Sequence, residues 1–175
     1  SQVDAGAYLA VQSIDGSTLE IRDGAVVNSN EGSVGDWGVN DGVYYDNSGT
    51  VLIEGEGSRW NVAGGFRAGW NDGAVTVRDG GVLATGDGEV GLLYAERFGG
   101  VPGSRAEARV DGAGSAWEST GTIAVGLNDK GLLDVRNGAM VSSVGGIIGR
   151  DINVEGNAGL VRIDGAGSEW NMSGQ

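Results

Sequence analysis

Three stretches of this chain end alike. They are Gly55-Glu56-Gly57-Ser58-Arg59-Trp60, Gly112-Ala113-Gly114-Ser115-Ala116-Trp117 and Gly165-Ala166-Gly167-Ser168-Glu169-Trp170. The tryptophans are 57 and then 53 positions apart. A second block recurs between them: Leu19-Glu20-Ile21-Arg22-Asp23-Gly24, Val75-Thr76-Val77-Arg78-Asp79-Gly80 and Leu133-Asp134-Val135-Arg136-Asn137-Gly138. The chain is therefore three copies of one unit, about residues 6–60, 64–117 and 121–170. A repeat at such a period restricts the fold to stacked or radial architectures, because one unit cannot bury its apolar face alone.

Each unit divides again. Six apolar pairs at alternate positions are Leu19/Ile21, Val51/Ile53, Val75/Val77, Ala108/Val110, Leu133/Val135 and Val161/Ile163. Alternation with period two is the pattern of a strand with one face buried. The chain has 36 Gly in 175 residues, and Gly with frequent Asx turns opposes helices of useful length. The reading is an all-β chain, a parallel β-solenoid of about six rungs in three two-rung repeats. Equivalent residues then stack at the ~4.8 Å spacing of neighbouring strands.

Aligning the rungs tests this. The residue after each second apolar position is Arg22, Glu54, Arg78, Asp111, Arg136 and Asp164, and the sign alternates at every step. The residue inside each pair is Glu20, Leu52, Thr76, Arg109, Asp134 and Arg162, alternating in its upper part. Opposite charges facing across strands help by about 0.2–1 kcal/mol per pair, and like charges destabilise. Such a ladder has meaning only if consecutive half-units are neighbours in space. Counting from the ladder also stacks Ser58, Ser115 and Ser168 with Val26, Val82 and Met140 between them. It sets Trp60, Trp117 and Trp170 between the small residues Ala84 and Ser142. At a constant interval past the ladder stand Gly32, Gly64, Gly88, Gly121 and Gly146, expected to hold positive φ at a corner.

Composition excludes several functions. There is no Cys and no His, so there is no disulfide framework, no thiol nucleophile and no imidazole base or ligand. A net charge of −13 opposes binding to a nucleic-acid backbone. No apolar run approaches a membrane helix. The beginning, Ser1-Gln2-Val3-Asp4, carries no signal-peptide pattern and reads as the start of a segment cut from a longer chain. Further rungs are expected in both directions, and the open ends of an isolated segment are expected to self-associate end to end.

The blocks Asp111-Gly112-Ala113-Gly114-Ser115-Ala116-Trp117 and Asp164 to Trp170, with Gly121-Thr122-Ile123-Ala124-Val125-Gly126 and the segment Gly131 to Gly138, resemble autotransporter (type V secretion) passenger-domain repeats, the PEP-CTERM-associated type among them. The first copy departs, reading Glu54-Gly55-Glu56 where the others have Asp-Gly-Ala. The resemblance covers about residues 6–174. It implies a right-handed parallel β-helix, displayed on a bacterial surface or secreted after export across the outer membrane. It also implies adhesive use in virulence, with a host-cell receptor, a matrix protein or a glycan as partner. It implies no membrane insertion by this segment.

Gly35, Gly69, Gly91, Gly126 and Gly149 open the rungs at intervals of 34, 22, 35 and 23. The longer intervals imply loops at about 36–49, 92–105 and 150–158. In a solenoid, insertions at one rung position emerge on one face. Trp37, Tyr44 and Tyr45 in the first loop, and Tyr94, Arg97 and Phe98 in the second, are the candidate ligand-binding residues. Aromatics among carboxylates suit sugar stacking or a protein partner; the alternative is that such rings lie flat and cap the wall of a purely structural stalk without a ligand. No catalytic residue is assigned. Asp111 and Asp164 have the spacing of a glycosidase pair, but an Arg between them keeps both ionised, and a fragment of a polysaccharide-active β-helix is the lesser alternative. No cofactor is expected, and no metal site beyond weak Ca²⁺ binding by acidic loops, because Asn71-Asp72-Gly73 and Asn128-Asp129-Lys130-Gly131 are explained as turns.

Overall fold

The computed structural model describes residues 1–40, 43–69, 72–91, 105–127, 130–149 and 158–174, with backbone alone for 37–40 and 43–46. Among these residues there is no helix. Three parallel sheets form the walls of a β-helix. The first wall holds β2 (Tyr8–Val11), β5 (Glu31–Val34), β10 (Phe66–Ala68), β13 (Gly88–Val90), β16 (Thr122–Val125) and β19 (Gly145–Ile148). The second holds β3 (Ser17–Ile21), β8 (Gly49–Glu54), β11 (Gly73–Arg78), β14 (Arg105–Asp111), β17 (Lys130–Arg136) and β20 (Gly159–Asp164). The third holds β1 (Gln2–Asp4), β4 (Val26–Ser29), β9 (Arg59–Val62), β12 (Val82–Thr85), β15 (Ala116–Ser119), β18 (Met140–Ser143) and β21 (Glu169–Met172). Each turn visits the walls in that order, and six turns follow one another. An antiparallel hairpin, β6 (Trp37–Asn40) and β7 (Val43–Asp46), leaves the second turn.

The second wall has the register that alternation predicts. Leu19, Val51, Val75, Ala108, Leu133 and Val161 form one inward column, and Ile21, Ile53, Val77, Val110, Val135 and Ile163 the next. From Ile53 to Val135 the second column is buried to 1% exposure or less. At this wall's entry corner, positive φ is held by Gly35, Gly69, Gly91, Gly126 and Gly149. In turns two, four and six the sequence between this corner and the next strand is longer, at 36–48, 92–104 and 150–158, and the last two lie almost wholly outside the described residues.

The corner into the third wall alternates in kind. Turns one, three and five use Asp23-Gly24, Asp79-Gly80 and Asn137-Gly138, both residues of each pair at positive φ. Short polar Asx side chains tolerate that region, as does Gly. Turns two, four and six use Gly55-Glu56-Gly57, Gly112-Ala113-Gly114 and Gly165-Ala166-Gly167, positive at both glycines. The serine that follows ties the two kinds together. Ser58, Ser115 and Ser168 Oγ accept the backbone N–H of Gly24, Gly80 and Gly138 at 3.1, 3.1 and 3.0 Å.

This corner corrects two expectations. The glycine corner is one residue longer: Ile53 to Trp60 is seven positions and Val77 to Leu83 is six. The indoles therefore stack as Val27, Trp60, Leu83, Trp117, Val141, Trp170, not beside Ala84 and Ser142. Val26, Val82 and Met140 pair with Arg59, Ala116 and Glu169, not with the serines.

Space for the rings comes from across the core. The facing column of the first wall reads Leu9, Gly32, Phe66, Gly88, Ile123, Gly146. Every turn with Trp on the third wall has Gly on the first. A Cβ on Gly32, Gly88 or Gly146 would stand 3.0, 2.4 or 2.9 Å from the indole of Trp60, Trp117 or Trp170. These three glycines are thus there for volume, and none of the five expected at positive φ has it. At Gly64 an added Cβ would meet the backbone carbonyl oxygen of Asn30 at 2.9 Å, and at Gly121 the Asp87 carboxylate, held by the Thr122 N–H, at 2.1 Å.

Phe66 lies edge-on between Trp60 and Trp117, with ring centroids at 5.5 and 6.0 Å and interplanar angles of 84°, an arrangement aromatic quadrupoles favour. Each indole N–H donates to a hydroxyl one turn earlier: Trp60 to Ser29 at 3.0 Å, Trp117 to Thr85 at 3.1 Å and Trp170 to Ser143 at 2.9 Å. Burying the ring therefore leaves no donor unsatisfied.

Candidate functional site

The charge ladder runs along the outer face of the second wall. Register places Glu54 against Arg78, Arg78 against Asp111, Asp111 against Arg136 and Arg136 against Asp164. The contacts are less uniform than the sequence suggests. Glu54 is bridged from both sides, by Arg22 at 3.3 Å and Arg78 at 2.6 Å. Asp111 instead takes Arg109 of its own strand at 2.6 Å, and Arg136 Nε donates to Asp134 of its own strand at 2.7 Å. The cause is the neighbouring outward column. In turn two it offers Glu54 only the neutral Leu52, and in turns four and five it offers a partner two residues away. Asp134 is 1% exposed and lies between Arg109 and Arg162 in register.

The Asn137 carboxamide, donating at 2.7 Å, and then the Arg109 guanidinium hold the Asp111 carboxyl below the usual carboxylate range against partial desolvation. A carboxyl depressed in the folded state contributes stability above its unfolded pKa and loses it as pH falls through the folded value. Acidification from pH 5 towards 2 should therefore lower the melting midpoint. Asp111→Asn should flatten part of that fall, checked by thermal denaturation at stepped pH.

Asp111 and Asp164 do flank Arg136 in register. Among the described residues no group of three or more acidic side chains converges as a metal site.

The loop candidates fare unequally. Trp37, Tyr44 and Tyr45 fall on the hairpin, where the backbone pairs Trp37 with Asp46, Gly38 with Tyr45 and Val39 with Tyr44. The hairpin leaves the wall beside a polar cluster in which Tyr8 Oη bonds Ser33 Oγ and donates to Asp36 Oδ2, each at 2.7 Å. Burial and the Asp36 carboxylate push the Tyr8 phenol up. Tyr94, Arg97 and Phe98 lie outside the described residues.

A second feature was not singled out from the sequence. On the outer face of the third wall a groove of about 470 Å³ opens over Ala63, Ala84 and Gly86. Its polar rim is one hydrogen-bonded chain. Asn28 Nδ2 donates to Asp4 at 2.6 Å, and Asn61 Nδ2 donates to Asn28 Oδ1 at 2.8 Å. Arg59 Nε donates to Asn61 Oδ1 at 2.6 Å, and its other arm crosses two turns to Glu118 at 2.6 Å. That crossing is open because Ala84 stands between Asn61 and Glu118 in register. Its signal in the sequence is a difference between copies, Asn28, Ala84 and Ser142 being equivalent, whereas the repeat pattern shows only what the copies share.

Comparison with known proteins gives one relative. Over 109 residues, 62% of this chain, it is 36% identical to the adhesin BmaC autotransporter of Brucella suis biovar 1 (strain 1330). The matched stretch is 3% of that protein's length. No family model and no solved structure matches the chain.

Proposed function

We propose that this chain is a segment of an adhesive autotransporter passenger, displayed on a bacterial surface or secreted across the outer membrane. Its β-helix is a rigid column that presents the loops 36–49, 92–105 and 150–158 to a host-cell receptor, a matrix protein or a glycan. The observation that carries this reading is the similarity to a stretch of an autotransporter adhesin. The parallel column supports it, because the three longer sequence segments follow the same corner on alternate turns. Weak contacts repeated along one face add up through avidity. Catalysis is not part of the proposal: Glu54 is bridged by two arginines, Asp111 and Asp134 each pair with an arginine of their own strand, and Arg136 stands between Asp111 and Asp164 in register.

The test is saturable binding to immobilised matrix proteins, cultured host cells and a glycan array. A paired variant carries Trp37, Tyr44, Tyr45, Tyr94, Arg97 and Phe98 all changed to Ala. Binding by the parent chain to at least one of these, weakened by about tenfold or more in the variant as loss of hot-spot residues does, is the expected result. Absence of binding by the parent would leave a stalk without a ligand and overturn the proposal.

A further inference from the structure

The three copies allow the chain to be compared with itself. At core and corner positions they agree: Trp60, Trp117 and Trp170; the hydroxyls of Ser29, Thr85 and Ser143; Ser58, Ser115 and Ser168. On the outer face of the second wall the ladder keeps its signs, with Arg22, Arg78 and Arg136 against Glu54, Asp111 and Asp164. On the outer face of the third wall the copies part. Arg59 becomes Ala116 and Glu169, Asn61 becomes Glu118 and Asn171, and Asn28 becomes Ala84 and Ser142. Drift alone produces differences, but it does not join the differing residues into one continuous chain of hydrogen bonds. Asp4, Asn28, Asn61, Arg59 and Glu118 are so joined, around a floor of small residues.

We propose that this groove binds an uncharged oligosaccharide. The inference rests on the adhesive reading for the source of its ligand, a cell-surface glycan. The volume of about 470 Å³ lies within the roughly 300–1,000 Å³ of small-ligand sites. Each carboxamide spends one N–H within the rim and has a second to offer, and the Asp4 and Glu118 carboxylates accept from hydroxyls. Along the column the two carboxamide donors of Asn28 and Asn61 thus stand on successive strands, ~4.8 Å apart, between the Asp4 carboxylate on one side and, beyond Ala84, the Glu118 carboxylate on the other. The floor of Ala63, Ala84 and Gly86 presents no bulky side chain, which suits the C–H face of a sugar ring.

Other ligands fit less well. Arg59 is engaged at both ends, two carboxylates stand on the rim, and the chain carries −13 overall. Sialylated, sulfated or phosphorylated ligands are therefore repelled. An apolar peptide would find only Val62 and two alanines as apolar side chains in the lining.

The test is a glycan array and a matrix-protein panel probed with the parent chain, Ala84→Trp, Asn61→Ala and the loop variant. Circular dichroism and melting verify that each variant is folded. Should Ala84→Trp fail to fold, Asn61→Ala decides. The expected result is binding to uncharged glycans, weakened about tenfold or more by the groove variants and kept by the loop variant, which loses instead its binding to matrix proteins or host cells. Three results overturn the groove while leaving adhesion standing: glycan binding lost only in the loop variant, preference for charged glycans, and binding to matrix proteins alone. No binding to anything overturns both.

Discussion

Trp117→Ala should lower the free energy of unfolding by about 3–5 kcal/mol, the usual cost of emptying a fully buried aromatic site. Trp117 has no exposed surface, packs on Phe66 and donates to Thr85. Its removal therefore opens a cavity and strands a buried hydroxyl. The more discriminating partner is Gly88→Ala. Its new Cβ would fall 2.4 Å from the Trp117 ring, in a closed core where the ring has nowhere to move. Gly88→Ala in the parent should cost about 1–3 kcal/mol, as overpacking does. In a Trp117→Leu background the same change should cost less, because the clashing atoms are gone. Urea unfolding of the two single variants and the double variant supplies the cycle. Strict additivity would mean that Gly88 serves something other than the indole.

Gly73→Ala should be comparably damaging for a different reason. An added Cβ would lie 2.2 Å from the Val34 carbonyl oxygen and 2.7 Å from the Gly69 nitrogen, both backbone atoms held in the parallel ladder. Backbone cannot give as a flexible side chain can, so a cost of about 3 kcal/mol is expected. The control is Gly6→Ala. Gly6 has φ +72°, yet nothing lies within 4 Å of its would-be Cβ, and the left-handed penalty alone is about 1–2 kcal/mol. If the two substitutions cost the same in thermal denaturation, close approach at the entry corner of the second wall is not what excludes a side chain there.

Both predictions depend on neighbours distant in sequence, and that is where reading the chain as text met its limit. Alternation of Leu19/Ile21, Val51/Ile53 and their successors was enough to identify strands, because a half-buried strand shows its period directly. The sign alternation from Arg22 to Asp164 was enough to stack them, because like charges cannot sit face to face. The second wall consequently has the register read from the sequence.

The third wall departs by one residue, because the Gly-x-Gly corner is longer than the Asx-Gly corner and corner length does not show in a strand pattern. That single step moves Trp117 from beside Ala84 to beside Leu83. Local repetition in the sequence thus determined the architecture, the three copies and the face that carries the charges. The pairing of each Trp with a Gly on another wall, Asp111 turning to Arg109, and the polar chain over Ala84 were decided only in three dimensions. Each depends on which side chains the corners bring within contact distance, and contact distance is set by the closed turn and not by spacing along the chain.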